Sequence, residues 1–262
     1  MDEERTLLVE RLGAVSRLTI NRPEQMNAFT EDMVLAIPRL LEAEIAAGAR
    51  AIILTGAGGN FCSGASIGSG GGSGGPPIAI QDKMDHYYAP LARFLADMPV
   101  PLVTAVNGAA AGGGAALALA GDYIVAGRGS YVMLAFARIG LVPDIGATWL
   151  VAQACGRVRT LKLALLADKL PAEEALAAGL VSEVVDDEAV AGRAEEVAAR
   201  LAAMPTRTLG AIRRQVRVAL EAGLDATLAA EGANQAMVAQ TRDFREGVAA
   251  FKEKRKPVFT GE

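Results

Sequence analysis

The chain has 262 residues, of which 52% are hydrophobic, enough to bury a sizeable core as one large domain or as a domain with a helical extension. The formal charge of −4 argues against nucleic acid as the main partner. The cysteines Cys62 and Cys155 and the lone His86 form no metal-ligand pattern, so we expect no metal site and a reducing, cytoplasmic location.

The N-terminal part predicts a hairpin followed by a β-α-β unit. The acidic start of the chain has no long apolar run, which argues against a signal peptide, and no later stretch is long, apolar and glycine-poor enough to span a membrane. Residues 7–11 and 15–20 predict paired strands. Thr30 is a good N-cap for a helix to about residue 47, with a kink or a later start at Pro38, and residues 51–55 predict a buried strand.

Two glycine clusters each follow a predicted buried strand. The first is Gly56 to Ile67, after the strand at 51–55, and the second is Gly112-Gly-Gly114, after a strand at 102–106 and before a short apolar helix at 115–120. Glycines let a ligand approach the main chain, and a helix N-terminus offers free N–H groups. Two such strand ends could supply the two donors of an oxyanion hole; the alternative is that the small residues only allow tight packing.

The segment 68–77 is rich in glycine and predicts a mobile loop. It contains Gly70-x-Gly72-x-x-Gly75, but no strand leads into this motif and no helix starts inside it, which argues against a dinucleotide site. The next apolar residues have helical spacing: Met84, Tyr87, Tyr88, Leu91, Phe94 and Leu95.

The second half predicts a few short strands and then mostly helices. The predicted strands are 123–126, 131–134 and 181–185. The predicted helices begin near Gly146 and then cover 158–166, 172–178, 188–204, 206–222, 224–240 and 243–254. Strands first and helices last favour an α/β core with a helical tail.

The two glycine clusters resemble those of the enoyl-CoA hydratase/isomerase (crotonase) family. The resemblance rests on Phe61-Cys-Ser-Gly-Ala-Ser-Ile67 and on Ala105-Val-Asn-Gly108 with Gly112-Gly-Gly114. It implies a spiral of β-β-α turns over residues 1–200 and a C-terminal helical region, 201–262, that packs a homotrimer or a dimer of trimers. It also implies that the backbone amides of Ala65 and Gly113 hold the thioester oxygen of an acyl-CoA.

The resemblance favours isomerisation over hydration. The hydratases of the family use two glutamates, and the matching positions here are Ala116 and Phe136. The stretch from Ala135 to Asp144 is similar to the isomerases of the family, notably those of the phenylacetate pathway, whose aspartate is the acid/base. Val142, Pro143, Ile145 and Trp149 would give Asp144 apolar surroundings and raise its pKa. Alternatively, Asp144 only caps the helix that follows.

The same resemblance implies an acyl-CoA substrate and no separate cofactor, since coenzyme A is part of the thioester. The residues that match CoA-binding positions are Gln25, Asn27, Ala28, Ser63, Ala65, Ser66, Ile67 and Lys252. For the residues near 25–28 a capped turn explains the sequence equally well, and a basic cluster such as that around Lys252 is often only a solvated face.

Three other functions remain open. The chain could be a hydratase-like enzyme with unusual catalytic residues, or a CoA-ester-binding protein that has lost catalysis. Gly64-Ala-Ser66-Ile-Gly68 also matches the nucleophile elbow of a serine hydrolase. That enzyme needs a histidine late in the chain, whereas His86 lies in a predicted helix beside Asp82 and Asp85.

Overall fold

A central, mostly parallel sheet organises the fold of the computed structural model, which describes residues 6–66 and 79–262. In these residues the strands are β1 (Leu7–Leu12), β2 (Val15–Ile20), β3 (Ala51–Gly56), β4 (Leu102–Val106), β5 (Ala109–Ala111), β6 (Tyr123–Gly127), β7 (Tyr131–Met133), β8 (Leu170–Pro171) and β9 (Glu183–Val185). The large sheet has the order β1-β2-β3-β4-β6-β9. Its first pair is an antiparallel hairpin, and every later pair is parallel.

A second, smaller sheet has the order β5-β7-β8. Its first strand directly follows the turn at Asn107-Gly108, so the chain passes from one sheet to the other at the end of β4. An isolated bridge between Cys62 and Ala110 ties the loop after β3 to β5. The ends of two neighbouring parallel strands, β3 and β4, are therefore held side by side.

Helices fill both faces of the large sheet and form the C-terminal part of the chain. They are α1 (Glu31–Ala46), α2 (Ile80–Lys83), α3 (Ala89–Asp97), α4 (Gly113–Leu119), α5 (Ala147–Leu166), α6 (Ala172–Ala177), α7 (Val190–Ala202), α8 (Thr206–Glu221), α9 (Leu224–Val238) and α10 (Arg242–Glu253). A π-helical turn, Met84–Tyr88, joins α2 to α3. None of the helices in the described residues is long and apolar enough to cross a membrane.

The alternation of side chains along β3 explains why both faces are covered. Ile52 and Leu54 belong to the larger core cluster, whereas Ala51 and Ile53 belong to a second cluster on the other face. Since side chains of a strand point alternately to its two sides, a continuous apolar run needs packing partners on both. Helix α7 supplies the partner for the second cluster through Val190, Ala194 and Val197.

The α/β class, the hairpin and the β-α-β unit are confirmed, and Thr30 caps α1 by accepting a hydrogen bond from the Met33 N–H at 3.4 Å. Pro38 does not shift the start of α1, which begins at Glu31 and continues past the proline; the expected kink stays a prediction. Burial of Val34, Ile37 and Leu41 against the core stabilises the helix on both sides of Pro38.

Two features of the later chain differ from the expectation. Strand β5 was not predicted, because three alanines carry no alternation of polar and apolar residues. The predicted helices near 146 and 158 form one span, α5, interrupted at Gly156 with φ 72° and ψ 173°.

The expected boundary between the two regions, at 200/201, falls inside α7, which packs on the sheet. The division of the chain into two regions stays a prediction.

Candidate functional site

The loop after β3 and the start of α4 touch through their glycines. A Cβ on Gly64 would stand 3.2 Å from the backbone nitrogen of Gly113. Gly64 has φ +104° and Gly112 has φ +54°, backbone conformations that side chains other than glycine rarely adopt. A Cβ on Gly114 would stand 2.1 Å from the carbonyl oxygen of Cys62. Glycine is therefore required for this close approach of two main-chain segments.

The backbone N–H groups of Ala65 and Gly113 have no acceptor among the described residues. Ala65 forms an isolated bridge with Phe29, two residues before α1, and the hydrogen bonds of this bridge are made by the neighbours of Ala65. The Phe29 N–H donates to the Gly64 oxygen at 2.9 Å, and the Ser66 N–H donates to the Phe29 oxygen at 2.8 Å. In such a ladder the N–H of Ala65 points away from Phe29. Gly113 is the first residue of α4, where N–H groups have no partner within the helix.

Both residues line a cavity of about 460 Å³. Its walls are mostly apolar, with a few polar groups, as is usual for a site that binds a small molecule. The lining includes Phe29, Ala65, Met84, Tyr88, Gly113, Phe136, Ile139, Leu141 and Asp144. Of the two positions that carry glutamates in hydratases, Phe136 lines the cavity with an aromatic ring and Ala116 is wholly buried in α4.

Asp144 brings a free carboxyl to this cavity. Its Oδ1 is buried and has no hydrogen-bond partner, and burial raises the pKa of Asp144 to about 6. The carboxyl does not cap α5, because the N-cap residue is Gly146 and the bond at this turn runs from the Ala147 N–H to the main-chain oxygen of Asp144. The capping alternative is therefore wrong.

The apolar surroundings of Asp144 differ from those expected. Ile145 is buried beside it, but Val142 is 79% exposed and Trp149 lines another cavity, on the far side of Ile145. The residues that share the cavity with Asp144 include Tyr88 and Phe136 instead, and the charge of Asp144 contributes to the raised pKa of Tyr88. The sequence could not assign these partners, because neither is adjacent to Asp144 in the chain.

Two further acids, Glu31 and Asp32, line the same cavity and were not anticipated. Glu31 forms an ion pair with Lys83, which also lines the cavity. Asp32 is exposed at the rim. Both acids occupy the first turn of α1, where a negative charge is favourable for the helix itself. Because this explains both residues from the sequence alone, their location at the cavity was not predicted.

The loop expected to bind the CoA nucleotide is held by Asn27. Its side chain is wholly buried: Oδ1 accepts from the Arg22 N–H at 2.9 Å, and Nδ2 donates to the carbonyls of Ala57 and Asn60 at 2.7 and 2.6 Å. The expectation that Asn27 belongs to the CoA-binding residues stays a prediction; with its side chain wholly buried, its contact with a ligand would come from its main chain. Asn27 joins the loop to the segment after β3.

The other expected CoA-binding residues lie in different places. Gln25 is exposed, and its main-chain oxygen accepts a hydrogen bond from Ser63 Oγ at 3.4 Å. Ala28 is half-buried. Ser63 and Ser66 line the cavity, whereas Lys252 is exposed on α10 and does not line it. Ile67 and the glycine-rich segment 68–77 lie outside the described residues.

The geometry gives no support to the serine hydrolase. Ser66 lines the cavity, but His86 is exposed on the π-helical turn and is not among the lining residues. Across residues 6–66 and 79–262, no three His, Cys, Asp or Glu side chains come together as a metal site.

Comparison with known proteins shows the family of this chain. A family model described as enoyl-CoA hydratase/isomerase matches residues 10–262. The 1,2-epoxyphenylacetyl-CoA isomerase of Escherichia coli K12 is 41% identical over 94% of this chain and 95% of its own. A probable enoyl-CoA hydratase of Rhodobacter capsulatus is 40% identical over 98% of both chains. The crystal structure of an enoyl-CoA hydratase subunit from Geobacillus kaustophilus HTA426 superposes with TM-score 0.89 and 32% identity, covering 98% of each chain, which confirms the crotonase-like fold.

Proposed function

The chain belongs to the enoyl-CoA hydratase/isomerase family, and we propose that it isomerises an enoyl-CoA thioester, by moving a double bond or rearranging a ring, with Asp144 as its single acid/base. The observation that carries this proposal is the unpartnered, buried Oδ1 of Asp144 in the cavity that also holds the free N–H groups of Ala65 and Gly113.

The reaction needs one carboxylate and one oxyanion site. Ionised Asp144 takes a proton from C2, next to the thioester, and the electron pair of that C–H bond moves onto the thioester oxygen. The N–H groups of Ala65 and Gly113 stabilise the resulting enolate oxygen, as oxyanion holes do. The protonated Asp144 then returns the proton at C4, and the double bond moves from C3–C4 to C2–C3.

Asp144 is better suited to this role than the other two acids of the cavity. The carboxylate of Glu31 is already engaged by Lys83, and Asp32 is exposed to water. A general base is most effective when its pKa lies near the working pH. Burial brings the pKa of Asp144 to about 6, which satisfies this condition.

Hydration requires a base for water and an acid for carbon, both close to the double bond. The two positions that would carry them hold Ala116 and Phe136, and Phe136 instead adds an apolar wall that keeps water from the reacting carbons. This argument favours isomerisation over the hydratase-like alternative.

We further propose that α8 and α9 pack against other copies of the chain. They expose apolar side chains that a monomer would leave in water: Ile212, Val216, Leu220, Leu224 and Leu228. Multi-angle light scattering is expected to give the mass of a trimer or hexamer; a monomer at micromolar concentration would contradict the assembly.

A panel of 3-enoyl-CoA, 2-enoyl-CoA and ring-epoxide CoA thioesters tests the activity, with products identified by absorbance and mass spectrometry. Isomerisation without a gain of 18 mass units, the mass of water, is expected. Conversion of 2-enoyl-CoA to a 3-hydroxy product would instead identify a hydratase. Tight binding without any turnover would identify an inactive CoA-ester-binding protein.

A further inference from the structure

Tyr88 holds a fixed position in the cavity, opposite the start of α4. It is 8% exposed and is the last residue of the π-helical turn Met84–Tyr88. Its ring meets the Phe29 ring edge-on, with centroids 6.2 Å apart and planes at 76°. Phe29 in turn packs on Gly113, where a Cβ would stand 2.7 Å from Cζ of Phe29. The ring of Tyr88 is thus fixed relative to the proposed oxyanion site.

The hydroxyl of Tyr88 has no hydrogen-bond partner among the described residues, although it belongs to a cavity that contains acceptors. Burial, followed by the charges of Asp144 and Glu31, raises the pKa of Tyr88 to about 12. The phenol therefore stays protonated at neutral pH and offers one O–H donor. The hydroxyl is thus a donor left available at the cavity, and a ligand that supplies an acceptor there would gain a hydrogen bond.

Packing alone does not explain a tyrosine at this position. A phenylalanine would make the same edge-on contact with Phe29, so the hydroxyl adds a hydrogen-bond donor and not a packing contact. The π-helical turn also favours a functional role for Tyr88, since such turns are rare in helices and are frequent at functional sites. The adjacent Tyr87 belongs to the same turn but does not line the cavity.

We propose that the Tyr88 hydroxyl donates a hydrogen bond to an oxygen atom of the acyl group, close to the carbons at which Asp144 acts. Tyr88 is then a specificity-determining residue that selects acyl-CoA thioesters with a hydroxyl, ether or epoxide oxygen over plain hydrocarbon chains. This inference rests on the proposed function, because it takes the same cavity as the acyl site.

Asp144 and Tyr88 suit this division of roles because Oδ1 of Asp144 has no hydrogen-bond partner, no hydrogen bond of the Tyr88 hydroxyl is found in the described structure, and both residues line one cavity. The carboxylate of Asp144 can only accept, and the protonated phenol supplies the donor. A substrate with a C–H next to a thioester and an oxygen farther along the acyl group would satisfy both. A hydrocarbon chain would leave the phenol unpaired.

Binding of two saturated thioesters tests the inference without any turnover. Cyclohexylacetyl-CoA and (2-hydroxycyclohexyl)acetyl-CoA differ by one oxygen, and neither has a double bond to move. Isothermal titration is expected to give tighter binding of the hydroxylated thioester to the wild type, by about tenfold. Tyr88→Phe should abolish this preference, and the matched control Tyr87→Phe should keep it.

Each outcome bears on the inference. Tyr88→Phe with the wild-type preference would overturn it, and so would an equal loss of affinity for both thioesters, which a packing role predicts. Melting curves check that the variants are folded. A preference that depends on Tyr88 in a protein that isomerises no thioester would support the inference and overturn the proposed activity. No binding of either thioester would overturn the inference and leave the activity to the substrate panel.

Discussion

Ile145, the residue after Asp144, packs directly on the backbone of Gly113: a Cβ on Gly113 would stand 3.1 Å from Cδ1 of Ile145. Ile145 has φ +48°, a left-handed conformation that is unfavourable for a β-branched residue. Strain of this kind persists only where the surrounding packing enforces it. The turn that carries the proposed acid/base and the helix start that carries a proposed oxyanion donor are therefore held at a fixed separation.

Asp144→Asn is expected to lower kcat by about 10²- to 10⁴-fold, because asparagine keeps the size of the side chain but cannot accept the proton. Steady-state kinetics with 3-enoyl-CoA measure the change. Asp32→Asn is the matched control, since Asp32 lines the same cavity but is exposed, and it should stay within a few-fold of the wild type. Wild-type rates in Asp144→Asn would contradict the mechanism.

The pH profile should report the ionisation of Asp144. Since the carboxylate is the active form and its pKa is raised to about 6, kcat/KM should fall as the pH decreases through about 6, by tenfold for each further unit. A limb near pH 4, the usual range of an aspartate, would indicate that another group is the base.

The stability of Asp144→Asn should depend on pH in a defined direction. Because the folded pKa lies above the unfolded value of about 3.9, the folded wild type loses stability as the pH rises from about 4 to about 6. Asparagine removes this cost, so the variant should be more stable at pH 8 by about 1–2 kcal/mol, a figure kept low because water reaches part of the carboxyl. Urea unfolding at pH 8 and pH 4 tests this. A variant less stable than the wild type at pH 8 would contradict the burial of an unpaired carboxylate.

The oxyanion site is best tested at Ala65. Any Cβ at Gly113 would collide with Phe29, so a substitution there would confuse a lost N–H with a distorted wall. Ala65→Pro removes only an N–H that has no acceptor among the described residues, and kcat should fall by about 100- to 1,000-fold. Ala65→Ser keeps the N–H and should keep the rate; equal losses in both variants would exclude the oxyanion role.

Gly114→Ala should destabilise the fold, because the new Cβ would stand 2.1 Å from the carbonyl oxygen of Cys62 and would push α4 away from the loop after β3. We expect a loss of about 1–3 kcal/mol in the free energy of unfolding. Gly192→Ala is the control: Gly192 lies in α7 with no atom within 4 Å of the added Cβ, and alanine there should stabilise by about 0.5–1 kcal/mol. Chemical denaturation of both variants decides this, and a neutral Gly114→Ala would contradict the close contact.

The sequence by itself determined the parts of this protein that depend on neighbouring residues. Alternating and continuous apolar runs identified β1 to β4, and Thr30 and Gly48 identified the ends of α1. The glycine clusters pointed to two strand ends as a possible oxyanion site, and their resemblance to a family pointed to Ala65, Gly113 and Asp144 and to the missing glutamates. Strand β5 was missed because its three alanines have no periodicity.

Only the tertiary structure decided which side chains share the cavity. Glu31, Asp144 and the pair Lys83 and Tyr88 come from three separate segments. Helical spacing alone does not distinguish a face that packs on the core from one that borders a cavity. Asn27 matched a CoA-binding motif in the sequence, and the structure adds that its side chain is held by Ala57 and Asn60, some thirty residues away. The free carboxyl of Asp144 follows from the same cause: its burial comes from long-range packing, and that packing sets its pKa.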